Sequence, residues 1–150
     1  MFAPQAISWD LPTLSTYATE ANQSNELWSL LSVNTDEWEK IFQYVLNSWA
    51  GTIAAKAVAQ YDISEDNSAN VEAGWANAYW AWINIASMVT LAYGWIQKSG
   101  FVSGLALLTA WQKVTAAAAW AVGSSATFSA NFLWNSTATD TNTAMLSWLI

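Results

Sequence analysis

The chain has 150 residues, of which 54% are hydrophobic and only 10% charged, with a net charge of −7. Ordinary soluble domains carry about 25% charged residues, so this one has few charges with which to coat a surface. Four lysines, no arginine and no histidine leave no basic cluster to neutralise phosphates, which argues against direct nucleic-acid binding; the absence of cysteine excludes disulfides and thiol chemistry.

The charges are unevenly placed. Ten of the eleven acidic residues lie at or before Glu72, and beyond it only Lys98, Lys113 and Asp140 are charged. Residues 1–12 read as an N-terminal arm without the basic start and apolar run of a secretory signal. Residues 13–60 read as an amphipathic helical hairpin. Its first helix, Thr13–Ser32, follows Pro12 and repeats Leu14, Tyr17, Ala18, Ala21, Trp28 and Leu31 at helical spacing. Val33-Asn34-Thr35 interrupts it, and Asp36, Glu37 and Glu39 suit the first turn of a second helix reaching Gln60. Trp38, Ile41, Phe42, Val45, Leu46 and Trp49 fall on one face of that helix. Of these, Trp38, Ile41, Phe42, Val45 and Trp49 are expected to form the bundle core. Residues 61–70 form an acidic loop, YDISEDNSAN. Residues 71–122 read as a hydrophobic helical hairpin, Val71–Gln97 and Phe101–Val122, parted by Lys98-Ser99-Gly100. The polar, Trp-containing tail 123–150 is given a short helix. The expected fold is all-α, a bundle of four to five helices with very hydrophobic C-terminal members.

The residue types limit the chemistry. Without His or Cys, the commonest general base, the thiol nucleophile and the commonest metal ligand are missing. Asp62, Glu65 and Asp66 offer oxygen ligands, but their spacing is not that of a calcium loop, and they read as solvated charges. No catalytic residue, metal, cofactor or small-molecule substrate is expected, and the chain reads as a non-enzyme. Ala73–Gln97 is uncharged and long enough to cross a bilayer, although Asn77, Asn84, Ser87 and Thr90 dilute it. The Gly100-x-x-x-Gly104 pair would permit close helix approach. Asn22-Gln23-Ser24 and Asn135-Ser136-Thr137 match the N-glycosylation pattern.

The tryptophans are the strongest signal, twelve in all. In the charge-poor half, Trp75, Trp80, Trp82, Trp95, Phe101, Leu105, Leu108, Trp111 and Trp120 are expected to form a self-assembly interface, because a small core cannot absorb so much apolar surface. The competing use of an exposed indole is to stack a sugar, which belongs to β-folds with Asp, Asn and Arg close by; a helical chain lacks that setting.

The apolar stretches Val71–Gln97 and Phe101–Val122, after the amphipathic Trp38–Trp49 segment, resemble the layout of coat proteins of archaeal spindle-shaped, tailed viruses, the bicaudavirus-like group. The resemblance implies a major coat subunit that forms a helical or pleomorphic virion shell through hydrophobic helix–helix contacts. Its partners would be many copies of itself and, before assembly, host membrane lipid; its location would be the virion. A small integral membrane protein, accessory or holin-like, is the second expectation. Trp49-Ala50-Gly51 with Tyr61-x-x-x-Glu65 also resembles the WXG secreted helical hairpins, with the two elements about twelve residues apart where that family places nearly a whole helix.

Overall fold

In the computed structural model the described residues are 19–34, 39–62, 64, 70–73, 81–105, 108–116, 121–125 and 132–146. They contain no helix. Ten strands occupy them instead: β1 (Leu30–Asn34), β2 (Glu39–Asn47), β3 (Val58–Tyr61), β4 (Asn70–Ala73), β5 (Ala81–Asn84), β6 (Tyr93–Val102), β7 (Lys113–Ala116), β8 (Val122–Ser125), β9 (Phe132–Ala138) and β10 (Ala144–Leu146). The expected all-α bundle is therefore wrong, and with it both helical hairpins.

The second strand shows why helical spacing misled. In β2, Phe42 and Tyr44 pack with Val33, Ile85 and Trp95 on one side, while Val45 packs with Ala59, Val71, Trp82 and Ile96 on the other. A strand buried on both faces has no polar alternation, and a continuous apolar run contains helix-spaced positions by default. The buried β-branched residues Val58, Val71, Ile83, Ile96, Val102, Val114 and Val122 favour the pleated surface, where their stiff χ1 is no handicap.

Pairing builds two layers. Strands β2, β4, β3, β5 and β6 hydrogen-bond in that order, and β6 pairs back onto β2, closing a five-stranded ring. The β2–β4 pair is parallel and the other four antiparallel. One edge of β2 serves two neighbours, β1 along Glu39–Gln43 and β4 at Leu46–Asn47. A second sheet runs β6–β10–β9–β7–β8, all antiparallel.

Long β6 belongs to both layers and changes allegiance at Gly100. Tyr93–Ser99 pairs with β2, and Gly100–Val102 with β10. Gly100 has φ +92°, and a Cβ there would lie 2.6 Å from the Glu39 carbonyl oxygen. Only glycine combines that conformation with so close a backbone approach. A bulge lies just before it, where Ile41 and Phe42 face Ser99 and Gln97 and Lys98 has no opposite number.

Three apolar clusters result: one inside the ring around Val45, Ala59, Trp82 and Ile96, one under β1 around Phe42, Tyr44 and Trp95, and one between the layers around Val58, Ile83, Val102, Leu105, Leu108 and Val114. Asn47 and Asn84 pin the loops at the ring's end. Asn47 Nδ2 donates to the Gly51 and Met88 carbonyls, and Asn84 Nδ2 lies within 3.0 Å of the Ile53, Ala54 and Ala86 carbonyls.

This architecture overturns the functional expectations built on helices. The likeness to spindle-virus coats rested on a helical layout that the chain does not have, so the helix-packed coat subunit falls. The helical membrane protein falls too, since no helix among the described residues is long and apolar enough to cross a bilayer. The WXG hairpin fails because Trp49-Ala50-Gly51 lies in a bend after β2 and Tyr61 ends β3.

Candidate functional site

Two places on this frame gather side chains with chemistry. The first lies inside the ring. Lys98, the bulged residue of β6, is 6% exposed and holds its amine 5.1 Å from the Trp82 ring centroid and 5.8 Å from that of Tyr61. Such placement over aromatic faces is attractive for a cation. Lys98 Nζ donates to the Tyr61 hydroxyl at 3.2 Å, and that hydroxyl donates to Gln43 Oε1 at 2.5 Å. Burial alone lowers the lysine to about 8, because desolvation disfavours its charged form, and burial pushes the Tyr61 phenol up to about 12. The Trp82 indole and the Gln43 amide beside the phenol offset part of that rise. Trp28, half exposed on a left-handed turn (φ 75°), lies over Tyr61 with ring centroids 5.6 Å apart. An amine next to a phenol can pass a proton, yet the amine is carried by a buried lysine and bonded to a half-buried phenol of the same fold, so its geometry serves the fold itself.

The second place is open. Leaving β6, residues 103–105 and 108–112 run beside the β9–β10 turn, Thr139–Thr143. Leu105 N–H donates to the Asn142 carbonyl, Leu108 N–H to that of Thr141, and Trp111 N–H to that of Ala138 at 2.7 Å; Ala138 N–H returns a bond to the Gln112 carbonyl at 2.8 Å. Leu105 and Leu108 anchor the segment in the interlayer core. Trp111 is thus gripped on both sides at the backbone, in the left-handed region (φ 66°), and its side chain is 83% exposed. Among the described residues of these two segments the other exposed side chains are polar: Ser103, Thr109, Asp140, Thr141 and Asn142. The turn is braced internally. Asp140 Oδ1 accepts from Asn142 N–H at 2.8 Å, Asn142 Oδ1 from the Thr143 hydroxyl at 3.0 Å, and the Thr143 carbonyl from Thr139 N–H and hydroxyl.

The residues expected to meet neighbouring subunits are scattered by this fold. Trp82 and Trp95 lie in the ring interior and under β1, Leu105 and Leu108 lie between the layers, and Phe101 is half-buried on β6. Trp111 alone of the described members faces solvent; Trp75, Trp80 and Trp120 lie outside the described residues. Of the expected bundle core, Phe42 and Val45 are buried on opposite faces of β2, Ile41 is half-buried, Trp49 packs against the ring interior, and Trp38 lies outside the described residues.

Among the acidic loop residues, Asp62 accepts from the Ser48 and Ser64 hydroxyls and from Ser64 N–H, and these bonds, those from Ser64 foremost, hold its carboxyl below the usual range. Glu65 and Asp66 lie outside the described residues, which include no group of three acidic side chains placed to hold a metal. Glu39, expected in a helix's first turn, instead opens β2 and accepts from the Ser32 hydroxyl across the β1–β2 pair.

Sequence reasoning missed the Lys98–Tyr61–Gln43 chain. Lys98 reads as a helix stop and Tyr61 as a loop start, and only the topology brings them together across 37 residues. The one available signal was a lysine set between Trp95-Ile96 and Phe101-Val102, in strand-like surroundings.

The chain matches no protein-family model, no curated protein and no solved structure.

Proposed function

We propose that the chain is a non-enzymatic binding module whose contact surface is the Trp111 turn. One observation carries this reading: the most exposed large apolar side chain among the described residues sits on a backbone conformation that a non-glycine residue adopts at a cost of about 1–2 kcal/mol. Glycine, asparagine or aspartate would remove both the strain and the exposed indole. A large aromatic ring held rigid on a turn is instead a suitable anchor, since it offers much contact area and loses little side-chain entropy on binding. The test is retention on a phenyl-substituted matrix with circular dichroism in parallel. Trp111→Ala should lose most of the retention and keep the β-sheet spectrum; equal retention of the two proteins removes the proposal.

Association with further copies of the chain is a second reading, favoured by a different patch. Val89 and Leu91 are both more than half exposed, side by side ahead of β6, and Leu91 too is left-handed (φ 60°). With five large hydrophobic residues exposed among the described ones, such contact would be local rather than spread over the surface. Sedimentation velocity over a wide concentration range, with Leu91→Asp as the control, tests it: a concentration-dependent shift abolished by the substitution supports it, and a constant monomer value rejects it.

A further inference from the structure

We infer that the partner of the Trp111 turn is a neutral, ribbon-like polysaccharide, a pyranose ring stacking on the indole while its hydroxyls meet the adjoining polar turn. The inference rests on the binding reading above and assigns its ligand class.

A protein partner that buried Trp111 in an apolar contact would want an apolar rim. Among the described residues of the two hydrogen-bonded loops, those exposed besides Trp111 are Ser103, Gly104, Thr109, Asp140, Thr141 and Asn142, none with a large apolar side chain. A nucleobase would also stack, but its backbone phosphates need a cluster of cations, and Lys113, two residues beyond Trp111, is one cation and no cluster. An anionic polymer would approach a chain of net charge −7, with the Asp140 carboxylate on the turn that follows Ala138, the backbone partner of Trp111.

A neutral sugar fits both halves of the surface. The C–H bonds on one face of a pyranose are apolar and weakly positive, matching the negative face of the indole. Its equatorial hydroxyls both donate and accept, and the carboxylate, amide and hydroxyls of Asp140, Asn142 and Thr141 offer complementary groups. These groups are already ordered: Asp140 is bonded to Asn142 N–H, Asn142 to the Thr143 hydroxyl, and the whole turn to the backbone on either side of Trp111. Little freedom would be lost on binding, as preorganised recognition requires. An extended ribbon presents repeated flat faces to such a platform, whereas a helical glucan does not.

The experiment uses the full chain with microcrystalline cellulose, insoluble chitin and starch, followed by titration with soluble cellohexaose. Depletion from solution by cellulose or chitin, with little by starch, is the expected result. Trp111→Ala should weaken binding about tenfold or more, as loss of an aromatic anchor does, while Trp111→Tyr retains most of it. Asp140→Ala should weaken binding less, and circular dichroism must show all three variants folded. No depletion by any of the three polymers, or equal binding by Trp111→Ala, overturns the inference.

Oxidation of indoles by N-bromosuccinimide, mapped by mass spectrometry, separates polysaccharide binding from binding of another partner. Cellohexaose should protect Trp111 in the wild-type chain. Protection that appears only as the protein's own concentration rises would defeat the polysaccharide and leave the binding reading standing. Protection in the dilute chain alone would defeat both.

Discussion

The ring and the sheet beyond Gly100 use tryptophan in opposite ways. Within the ring Trp82 is 4% exposed, its face turned to the Lys98 amine and its edge packed among Val45, Ala59 and Ile96. Ahead of β7 in the second sheet, Trp111 stands exposed on a strained turn bonded to the segment before a polar turn. The same side chain is in one place a wall of a closed interior and in the other a surface carried by hydrogen bonds between loops. The difference teaches that tryptophan content alone says nothing about where an apolar surface ends up; the backbone at each position decides.

The largest effect should come from the joint between the two regions. Gly100→Val places a side chain against the Glu39 carbonyl at a φ of +92° and should cost about 5 kcal/mol or more, enough to prevent folding. Loss of the cooperative thermal transition is the readout, and a variant melting within a few degrees of wild type would show that β6 need not bend there. Next in size is Trp82→Ala, which empties the ring interior and removes the face opposed to Lys98. A loss of about 3–5 kcal/mol is expected from chemical denaturation. A small loss would mean that the ring holds together without its largest interior side chain.

How much of this was legible in the sequence varies residue by residue. Trp111 was visible as an apolar residue in need of a partner, and its environment was not, because the turn carrying Asp140 and Asn142 is brought to its segment only by the pairing of two loops far apart in the chain. The break at Ser99-Gly100 was visible as an interruption, but it joins two sheets instead of two helices. Strands β2 and β6 were misread for one reason: both are buried on both faces, so Phe42, Tyr44 and Val45, or Trp95 and Ile96, follow one another without the polar alternation that marks a strand. The abundance of Val and Ile at these positions was the countersignal, and alanine-rich, helix-favouring surroundings masked it. Gln43 could not have been found at all, since its role is defined only by the Tyr61 hydroxyl.

The interior of the ring makes a smaller prediction about pH. Lys98 falls from 10.5 to about 8 in the folded chain, so between those values the unfolded chain holds a proton that the fold has released. Stability should therefore rise with pH across that window. Tyr61 moves from 10.0 to about 12, and between those values the fold keeps a proton that the unfolded chain has lost, so stability should fall. Lys56, lowered by burial and by Lys40, adds to the rising limb. Thermal melts should peak near pH 10. Lys98→Met should flatten most of the rise, leave the fall above pH 10, and stabilise the protein at neutral pH by about 1–3 kcal/mol, because a buried amine is replaced by an apolar chain of similar length. An unchanged rising limb in that variant would place the titrating group elsewhere.

The smallest effect, and the sharpest contrast with Trp82, belongs to Trp111→Gly. The indole contributes little burial, and glycine relieves the left-handed backbone at φ 66° without disturbing the bonds to the Ala138 carbonyl and from Ala138 N–H. Against this relief stands the larger freedom glycine gives the unfolded chain, about 0.5–1 kcal/mol. The two nearly cancel, so the melting temperature should stay the same or rise by a degree or two. Were it instead to fall as far as in Trp82→Ala, Trp111 would be holding the fold together, and its exposure would no longer need a partner to explain it. A neutral or stabilising result means the strained, solvent-facing indole contributes nothing to folding, which leaves contact with another molecule as the physical reason for it to be there.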